Sequence, residues 1–275
     1  MKRKNTGGNI LTALTFIFLY APIIVLIVFS FNSSKSRTIW SGFTLDWYRE
    51  LFRDSLIMSS LETTLLVSVL AALAAAVIGT FAAIGFYNMK KHWRSPLLMI
   101  NNIPVINADI ITGVSLSLLF VSAGVVIGFE LGFGTLLIAH ITFDIPYVIL
   151  SVMPKLYQLD RNLFEAAQDL GCTWFQTIYK VIIPEIMPGI INGLLIAFTM
   201  SVDDFVISYF TAGSSVQTLS MAIYAMTRKR ISPKINAIST LLFTVVLILL
   251  VIVNVRESRQ QRKADLKREQ MPEEV

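Results

Sequence analysis

The sequence has 275 residues, of which 55% are hydrophobic and 15% are charged, and its mean hydropathy is +0.67. Soluble domains carry about a quarter charged residues, so this composition excludes an ordinary soluble protein. The formal charge is +5, but the basic residues gather at the ends of long apolar segments, which argues against a nucleic-acid-binding surface.

The first apolar segment, Ile10–Phe31, has 22 residues without a charge and follows Lys2, Arg3 and Lys4. The apolar core of a secretory signal peptide has only about 7–15 residues and ends at a small-residue cleavage site. This segment is longer and no such site follows it. We therefore interpret it as the first transmembrane helix.

Five further apolar segments are each long enough to cross a hydrocarbon core of roughly 30 Å. In chain order they are Thr63–Tyr87, Leu97–Ser122, Leu131–Met153, Gly189–Phe210 and Ile235–Val255. The sequence thus predicts an all-α membrane protein with six transmembrane helices. Its membrane domain spans residues 10–255, between a short N-terminal segment at 1–9 and a polar tail at 256–275.

The distribution of basic residues predicts the orientation of these spans. Six spans place both termini on one side, and that side holds 15 of the 23 Lys and Arg residues. Because positively charged segments are retained in the cytoplasm, we expect both termini to be cytoplasmic. The cluster Arg228, Lys229 and Arg230, in the last outer loop, opposes this assignment.

Four aspartates lie within the predicted spans: Asp109, Asp144, Asp203 and Asp204. A carboxylate at the centre of a membrane helix costs about 2.5–3.5 kcal/mol even on a lenient scale, so each requires an explanation. One explanation is structural: the carboxylates pair with buried basic residues or cap broken helices. Because no predicted span contains Lys or Arg, a basic partner would have to come from another permease subunit. The other is that the carboxylates replace water around a transported cation, and several carboxylates suit a cargo with several ammonium groups.

The positions of these aspartates suggest different roles. Asp109 is expected about halfway along the third span, on a polar stripe after Pro104 that suits an aqueous path. On a regular fifth helix Asp203 and Asp204 point in different directions, and we favour Asp203 for the cavity and Asp204 for a helix interface. Phe205 can offer a ring for cation–π contact worth about 0.5–2 kcal/mol. Small residues recur every fourth position of this span and predict close packing with another helix: Gly189, Gly193, Ala197 and Ser201.

The connection between the fourth and fifth spans, residues 154–188, carries the most specific pattern. Glu165-Ala166-Ala167 is followed after three residues by Gly171 and, nine residues later, by Val181-Ile182-Ile183-Pro184. Helix-forming residues before Gly171 and prolines at 184 and 188 predict two short helices joined by a left-handed turn, the second bounded by Pro184.

This pattern resembles the signature of ATP-binding-cassette (ABC) importer permeases, in which the loop forms a coupling helix that docks on the ATPase subunit. The matching residues are Glu165, Ala166, Ala167, Gly171 and Pro184. The resemblance extends over nearly the whole chain to the PotC-type permeases of spermidine/putrescine importers. It is carried by Tyr20-Ala21-Pro22, Ser30-Phe31-Asn32, Gly42-Phe43-Thr44, His140-Ile141-Thr142, Ser201-Val202-Asp203-Asp204 and Ser232-Pro233. Lys234 and Asp144 stand where the branch usually has an acidic and an uncharged residue.

The resemblance implies a type I ABC importer permease fold and polyamine import by alternating access across the bacterial cytoplasmic membrane. It implies four kinds of partner besides lipid: a second, PotB-like permease, two PotA-like ATP-binding subunits and an extracytoplasmic PotD-like polyamine-binding protein. ATP and magnesium would be bound by the ATPase, since this sequence contains no phosphate-binding loop. We expect no cofactor and no metal in this chain.

No arrangement of catalytic residues is apparent. Cys172 is the single cysteine, and His140 is interpreted as a hydrogen-bonded packing residue. Three other functions stay open at this point. The cargo could be ferric iron or an oxyanion, although four carboxylates fit an oxyanion poorly; Asp109 and Asp203 could carry protons in a secondary transporter; and an intramembrane hydrolase would need paired catalytic residues that we do not find.

Overall fold

The computed structural model describes residues 6–34, 39–160, 162–229 and 233–269. Within these ranges the chain forms helices and a single isolated bridge between Asn32 and Phe43, which confirms the predicted all-α class. The helices are α1 Thr6–Ser30, α2 Asp46–Arg53, α3 Ser55–Asn88, α4 Lys91–Ile106, α5 Asp109–Ile127, α6 Phe133–Gln158, α7 Asn162–Asp169, α8 Trp174–Thr177, a π-helix Ile178–Ile182, α9 Ile183–Asp203, α10 Val206–Thr211, α11 Leu219–Lys229 and α12 Pro233–Glu269. Some residues used in the sequence predictions lie outside these ranges: Lys2, Arg3, Lys4, Lys35, Arg37, Arg161, Arg230, Ser232 and residues 270–275.

Six helical segments of the described chain are long and apolar enough to cross a membrane. They are Leu11–Ser30, Ser55–Asn88, Asp109–Ile127, Phe133–Gln158, Trp174–Asp203 and Pro233–Ile252. The predicted number of spans is therefore confirmed. The third and fifth spans, however, have different limits from those predicted.

The third span begins later than predicted because the chain leaves helical geometry before Asp109. α4 ends at Ile106, and the backbone is extended at Asn107 (φ −75°, ψ 153°) and at Ala108 (φ −67°, ψ 132°). None of the residues of α4 is buried, and with 16 residues it is shorter than the helices that could cross a membrane. Asp109 thus begins α5, and the prediction that it lies halfway along a continuous helix is wrong.

The fifth span ends earlier than predicted, at a second break. α9 stops at Asp203, Asp204 is extended (φ −63°, ψ 128°), and the short helix α10 follows from Val206. At its other end the span is longer than predicted, because α8, the π-helix and α9 form one helical segment of 30 residues from Trp174. The prediction of a single regular helix over Gly189–Phe210 is therefore wrong.

The chain divides into two compact units, and the larger one comprises residues 60–221 and 247–275. Its central helix is α6, whose buried face packs along α9. A Cβ atom added at Gly193 would lie 3.0 Å from the Cα atom of Val148, and one added at Gly189 would lie 2.8 Å from Cγ of Lys155. The predicted close packing is confirmed, since the whole stripe is buried: Gly189, Gly193, Ala197 and Ser201.

The smaller unit comprises residues 1–59 and 222–246. In its described part, a hydrogen bond connects α2 to the segment that follows α1: the indole Nε1 of Trp47 donates to the carbonyl of Asn32 at 2.7 Å. The ammonium of Lys234 lies 3.1 Å from Oε2 of Glu50 and 3.9 Å from Oδ2 of Asp54. Lys234, which departs from the family pattern, therefore has two carboxylate partners near α2.

The last helix, α12, runs without interruption from Pro233 to Glu269. Its part from Pro233 to Ile252 is long and apolar enough to cross a membrane. The polar tail from Arg256 onward is helical as far as Glu269 and continues the helix of the sixth span.

Candidate functional site: two helix breaks and an exposed hairpin

Two interrupted helices place carboxylates at their ends within the larger unit. Asp109 is the first residue of α5, after the break at Asn107 and Ala108, and Asp203 is the last residue of α9. Breaks of this kind in membrane helices free backbone groups and mark substrate sites in many transporters, because irregular backbone is tolerated there only where it lines a cavity or is buried in protein.

Asp204 causes the second break by capping the helix that follows it. Its carboxylate accepts hydrogen bonds from the backbone N–H groups of Ile207 (3.2 Å) and Ser208 (2.7 Å) and from the Ser208 hydroxyl (2.8 Å). These bonds satisfy donors at the start of α10 that have no intrahelical acceptor. The Asp204 side chain is 7% exposed, so it lies within the protein.

His140, on α6, is the partner that the sequence argument missed. Its ring nitrogen Nε2 lies 3.6 Å from Oδ2 of Asp204 and 3.0 Å from the hydroxyl of Ser208, while Nδ1 lies 2.6 Å from the hydroxyl of Ser201. The expectation that His140 is a hydrogen-bonded packing residue is confirmed. Asp204 therefore has a partner within this chain, which a search of the spans for Lys and Arg alone does not find.

Asp144 lies one helical turn after His140 and is completely buried. Neither of its carboxylate oxygens has a hydrogen-bond partner among the described residues. α6, which carries Asp144, packs against α10, and so does α5 one turn after Asp109, where a Cβ atom added at Gly113 would lie 3.4 Å from the Cα atom of Ile207. The four aspartates therefore belong to one region of the larger unit, although they differ in exposure.

The other two aspartates, Asp109 and Asp203, are exposed. Phe205 follows the second break and is partly buried, with its ring 5.5 Å from that of Tyr209. α5 approaches α10 closely here, since a Cβ atom added at Gly113 would lie 3.1 Å from the ring of Phe210. That Asp203 reaches the cavity and that Phe205 contacts a cation stay predictions.

The hairpin between the fourth and fifth spans begins as predicted. α7 covers Asn162–Asp169, and Gly171 adopts a left-handed conformation (φ +87°) in the turn that follows. Thr173 then caps α8: its hydroxyl accepts the N–H of Gln176 at 3.4 Å, and the Gln176 side chain accepts the N–H of Thr173 at 3.0 Å. The left-handed turn between two helices is therefore confirmed.

The second half of the hairpin differs from the prediction, because Pro184 does not end a separate helix. The π-helix Ile178–Ile182 passes directly into α9, with the N–H of Ile183 bonded to the carbonyl of Ile178. Pro184 lies at the start of α9, directly after the π-helix, and has no N–H with which to bond to the preceding turn. The hairpin is consequently continuous with the helix that ends at Asp203.

The surface of the hairpin combines acidic and apolar groups. Glu165 and Ala166 are exposed, whereas Ala167 is buried against its own chain. Leu170 is 87% exposed and Phe175 is 78% exposed. Of the two alanines in the pattern, only Ala166 is thus available to approach a partner closely.

The chain is similar to known transport proteins over most of its length. Residues 75–257 match the family described as binding-protein-dependent transport system inner membrane component. The chain is 41% identical to the putrescine transport system permease protein PotI of Escherichia coli K12, over 85% of this chain and 84% of the relative. It is 35% identical to the spermidine/putrescine transport system permease protein PotC of the same organism, over 89% of this chain and 90% of the relative.

Solved structures share its fold. A bacterial alginate ABC transporter in complex with an alginate pentasaccharide-bound periplasmic protein aligns with a TM-score of 0.70, over 92% of this chain and 94% of that chain, at 18% identity. The MetNI methionine ABC transporter aligns with a TM-score of 0.56 at 19% identity, over 82% of this chain and 99% of that chain. The ABC importer permease fold expected from the resemblance is confirmed.

Proposed function

The chain belongs to the family of inner-membrane components of binding-protein-dependent transport systems, and from this premise we propose that it is the permease subunit of an ATP-driven polyamine importer. Membership makes it a multi-pass protein of the bacterial inner membrane that works with a binding protein and an ATPase. Putrescine appears in the names of both PotI and PotC, and we assign it to this chain as a cargo.

One observation supports a diamine in particular. Of the four intramembrane aspartates, Asp109 and Asp203 are exposed at the ends of two interrupted helices, while Asp144 is buried and the Asp204 side chain is only 7% exposed. An exposed carboxylate can replace water around one ammonium group, and putrescine carries two. Phe205, at the second break, would add a ring face for cation–π contact.

The hairpin would couple this site to ATP hydrolysis in the partner. Exposed Glu165 offers a carboxylate to a basic group, and Leu170 and Phe175 offer an apolar surface that a groove on the ATPase can cover. Because the helical segment from Trp174 continues to Asp203, a displacement of the hairpin would move the end of α9 and alternate the access of the cavity. ATP and magnesium would bind to the partner, and this chain would act as a transport subunit without its own ATPase site.

The complete transporter would contain this chain, a PotB-like permease, two PotA-like ATPases and a PotD-like binding protein that delivers the polyamine. Both termini would be cytoplasmic, with a membrane domain at 10–255 and a cytoplasmic tail at 256–275. Ferric iron and proton-coupled exchange are not favoured, since PotI and PotC are both named for polyamine transport.

The test is uptake of labelled putrescine by cells that lack their own polyamine import and express this chain with its neighbouring subunits. We expect uptake that requires an intact ATPase active site and that excess unlabelled spermidine inhibits. Uptake that survives loss of the ATPase but collapses with the proton gradient would instead indicate a secondary transporter. No uptake by an assembled complex would refute the polyamine assignment.

In the same assay Glu165→Lys should abolish uptake while leaving membrane insertion intact, because it reverses the charge offered to the ATPase. Glu185→Lys, on the exposed side of the first turn of α9 and outside the matching pattern, is the control and should retain uptake. Equal uptake by Glu165→Lys and the unchanged protein would refute the coupling role.

A further inference from the structure

A buried imidazole joins the two halves of the interrupted fifth span. Nδ1 of His140 bonds to the hydroxyl of Ser201, in the last turn of α9, at 2.6 Å. Nε2 of the same ring bonds to the hydroxyl of Ser208, in α10, at 3.0 Å. A single side chain on α6 thus contacts the helix on both sides of the break at Asp204.

The bonding pattern assigns the protons of this network. The Ser208 hydroxyl has one proton, and it donates to the Asp204 carboxylate, which lies 2.8 Å away. Ser208 must therefore accept its bond from Nε2–H of His140, and the Nδ1 atom of the neutral ring accepts from the Ser201 hydroxyl. The donors run in one direction, from Ser201 through His140 and Ser208 to the carboxylate.

The network lies away from solvent, which makes each of its bonds costly to lose. His140 and Ser201 are each 2% exposed, Ser208 is 0% exposed and the Asp204 side chain is 7% exposed. A buried donor or acceptor that loses its partner cannot form a replacement hydrogen bond with water. Any rearrangement of the break that separates these groups is therefore costly in free energy.

We propose that His140 is a positioning residue for transport: by bonding both α9 and α10 it fixes the break, and thereby holds the exposed Asp203 carboxylate in the direction from which it meets the cargo. His140 itself does not touch the cargo, because its ring is enclosed. The transport part of this inference rests on the proposed function.

The first part of the test is a comparison of variants in the complete transporter. His140→Phe keeps a ring but removes both bonds, and His140→Gln can keep the bond to Ser208. Ser151→Ala is the matched control, since the single bond of the Ser151 hydroxyl within the described part of the chain is to the carbonyl of Tyr147 on the same helix, at 2.8 Å. We expect His140→Phe to raise the KM for labelled putrescine by at least about tenfold, because the loss of one buried hydrogen bond already corresponds to roughly that factor and this variant loses two. His140→Gln should restore part of the loss, and Ser151→Ala should match the unchanged protein.

A double-mutant cycle separates positioning from a general loss of stability. If His140 acts through Ser208, the rise in KM in the variant that combines His140→Phe with Ser208→Ala should be smaller than the product of the two single fold-changes. It need not equal that of His140→Phe alone, since Ser208→Ala also removes the bond from the Ser208 hydroxyl to Asp204. Additive effects, or an unchanged KM in both single variants, would overturn the proposal. If His140→Phe does not assemble, the Ser208→Ala and His140→Gln variants supply the same comparison.

A distance measurement tests the break independently of the cargo. Spin labels at Met200 and Tyr209, which are exposed on either side of the break, are introduced in a Cys172→Ala background. We expect a narrow distance distribution that broadens in His140→Phe and stays narrow in Ser151→Ala. A narrow distribution in His140→Phe would overturn the proposal. If the unchanged transporter imports no putrescine while the distribution still broadens, the proposed cargo fails and the role of His140 in the break stands.

Discussion

At the scale of single residues, four aspartates of one apolar chain occupy very different surroundings. Asp204 has three hydrogen-bond donors and a nearby imidazole, whereas Asp144 is fully buried and both of its oxygens lack a partner among the described residues. A buried polar group without a hydrogen-bond partner retains the full desolvation penalty. Hydrogen bonds to a buried group offset most of that penalty. The same residue type should therefore stabilise one site and destabilise the other.

Replacing each buried aspartate by asparagine tests this contrast. Asp204→Asn should lower the free energy of unfolding by about 1–3 kcal/mol, because an amide nitrogen cannot accept the bonds from Ser208. Asp144→Asn should leave stability unchanged or raised, since it removes a carboxylate that no described residue stabilises. The measurement is the thermal midpoint of the purified transporter by fluorescence-detected size-exclusion chromatography. An equal decrease of the thermal midpoint in Asp204→Asn and Asp144→Asn would contradict this difference between the two sites.

The sequence identified the four aspartates correctly as unusual, because charges in apolar segments stand out by composition alone. It could not identify the environment of Asp204, since Ser201 and His140 are separated by 61 residues and Ser208 and His140 by 68. The local spacing of Asp204 and Ser208, four residues apart, was the one available signal of a cap. That signal competes with an apolar run that continues through Phe210 and favours an unbroken helix.

At the scale of helices, the stripe of small residues on α9 was predictable because packing depends on a period of four that the sequence displays directly. The breaks were not predictable in the same way. Apolar residues continue on both sides of Asp203 and Asp204, which favours an unbroken span. α4 and α5 were predicted as one segment because Asn107 and Ala108 carry no strong breaking signal. Breaks arise where a few bonds outside the helix replace those within it, and these bonds depend on the tertiary fold.

The packing of α6 on α9 predicts a position-specific effect of side-chain size. Gly193→Leu should destabilise the protein by about 1–3 kcal/mol, because its Cβ atom alone would lie 3.0 Å from the Cα atom of Val148 and backbone cannot yield as a side chain does. The thermal midpoint should fall by roughly 2–4 °C for each kcal/mol in a chain of this size.

Gly85→Leu is the matched control for that substitution. Gly85 is exposed within α3, and a Cβ atom added there would have no neighbour within 4 Å. The thermal midpoint of Gly85→Leu should equal or exceed that of the unchanged protein, since glycine destabilises a helix interior. If the two variants melted at the same temperature, close packing at Gly193 would not be what holds α6 against α9.

At the scale of the whole molecule, one continuous helical segment connects the two features assigned to function. The segment from Trp174 to Asp203 has 30 residues and is therefore about 45 Å long at the α-helical rise. The hairpin lies at its beginning, and the break held by His140 lies at its end. A membrane of roughly 30 Å hydrocarbon thickness would separate the two, so the segment can transmit a movement of the ATPase to the cargo site.

This arrangement requires the hairpin to face the cytoplasm. A cysteine already present in the hairpin allows its side of the membrane to be determined by labelling. Cys172 is the only cysteine of the chain and lies beside Gly171 in the turn of the hairpin, where it is partly exposed. A membrane-impermeant maleimide should therefore label Cys172 in inside-out vesicles and fail to label it in intact spheroplasts. Labelling should also fall when the ATPase subunits are present, because they would cover the turn.

A cysteine in the loop after α1 provides the opposite result for comparison. Ser41 is exposed in that loop, and in a Cys172→Ala background Ser41→Cys should be labelled in spheroplasts only. The two positions are separated by three further predicted spans, so their labelling must be reciprocal if six helices cross the membrane in the predicted order. Labelling of Cys172 from outside would invert the orientation and remove the hairpin from any contact with a cytoplasmic ATPase. Reciprocal labelling, with protection of Cys172 alone by the ATPase, would place both termini in the cytoplasm, where 15 of the 23 basic residues predict them to be.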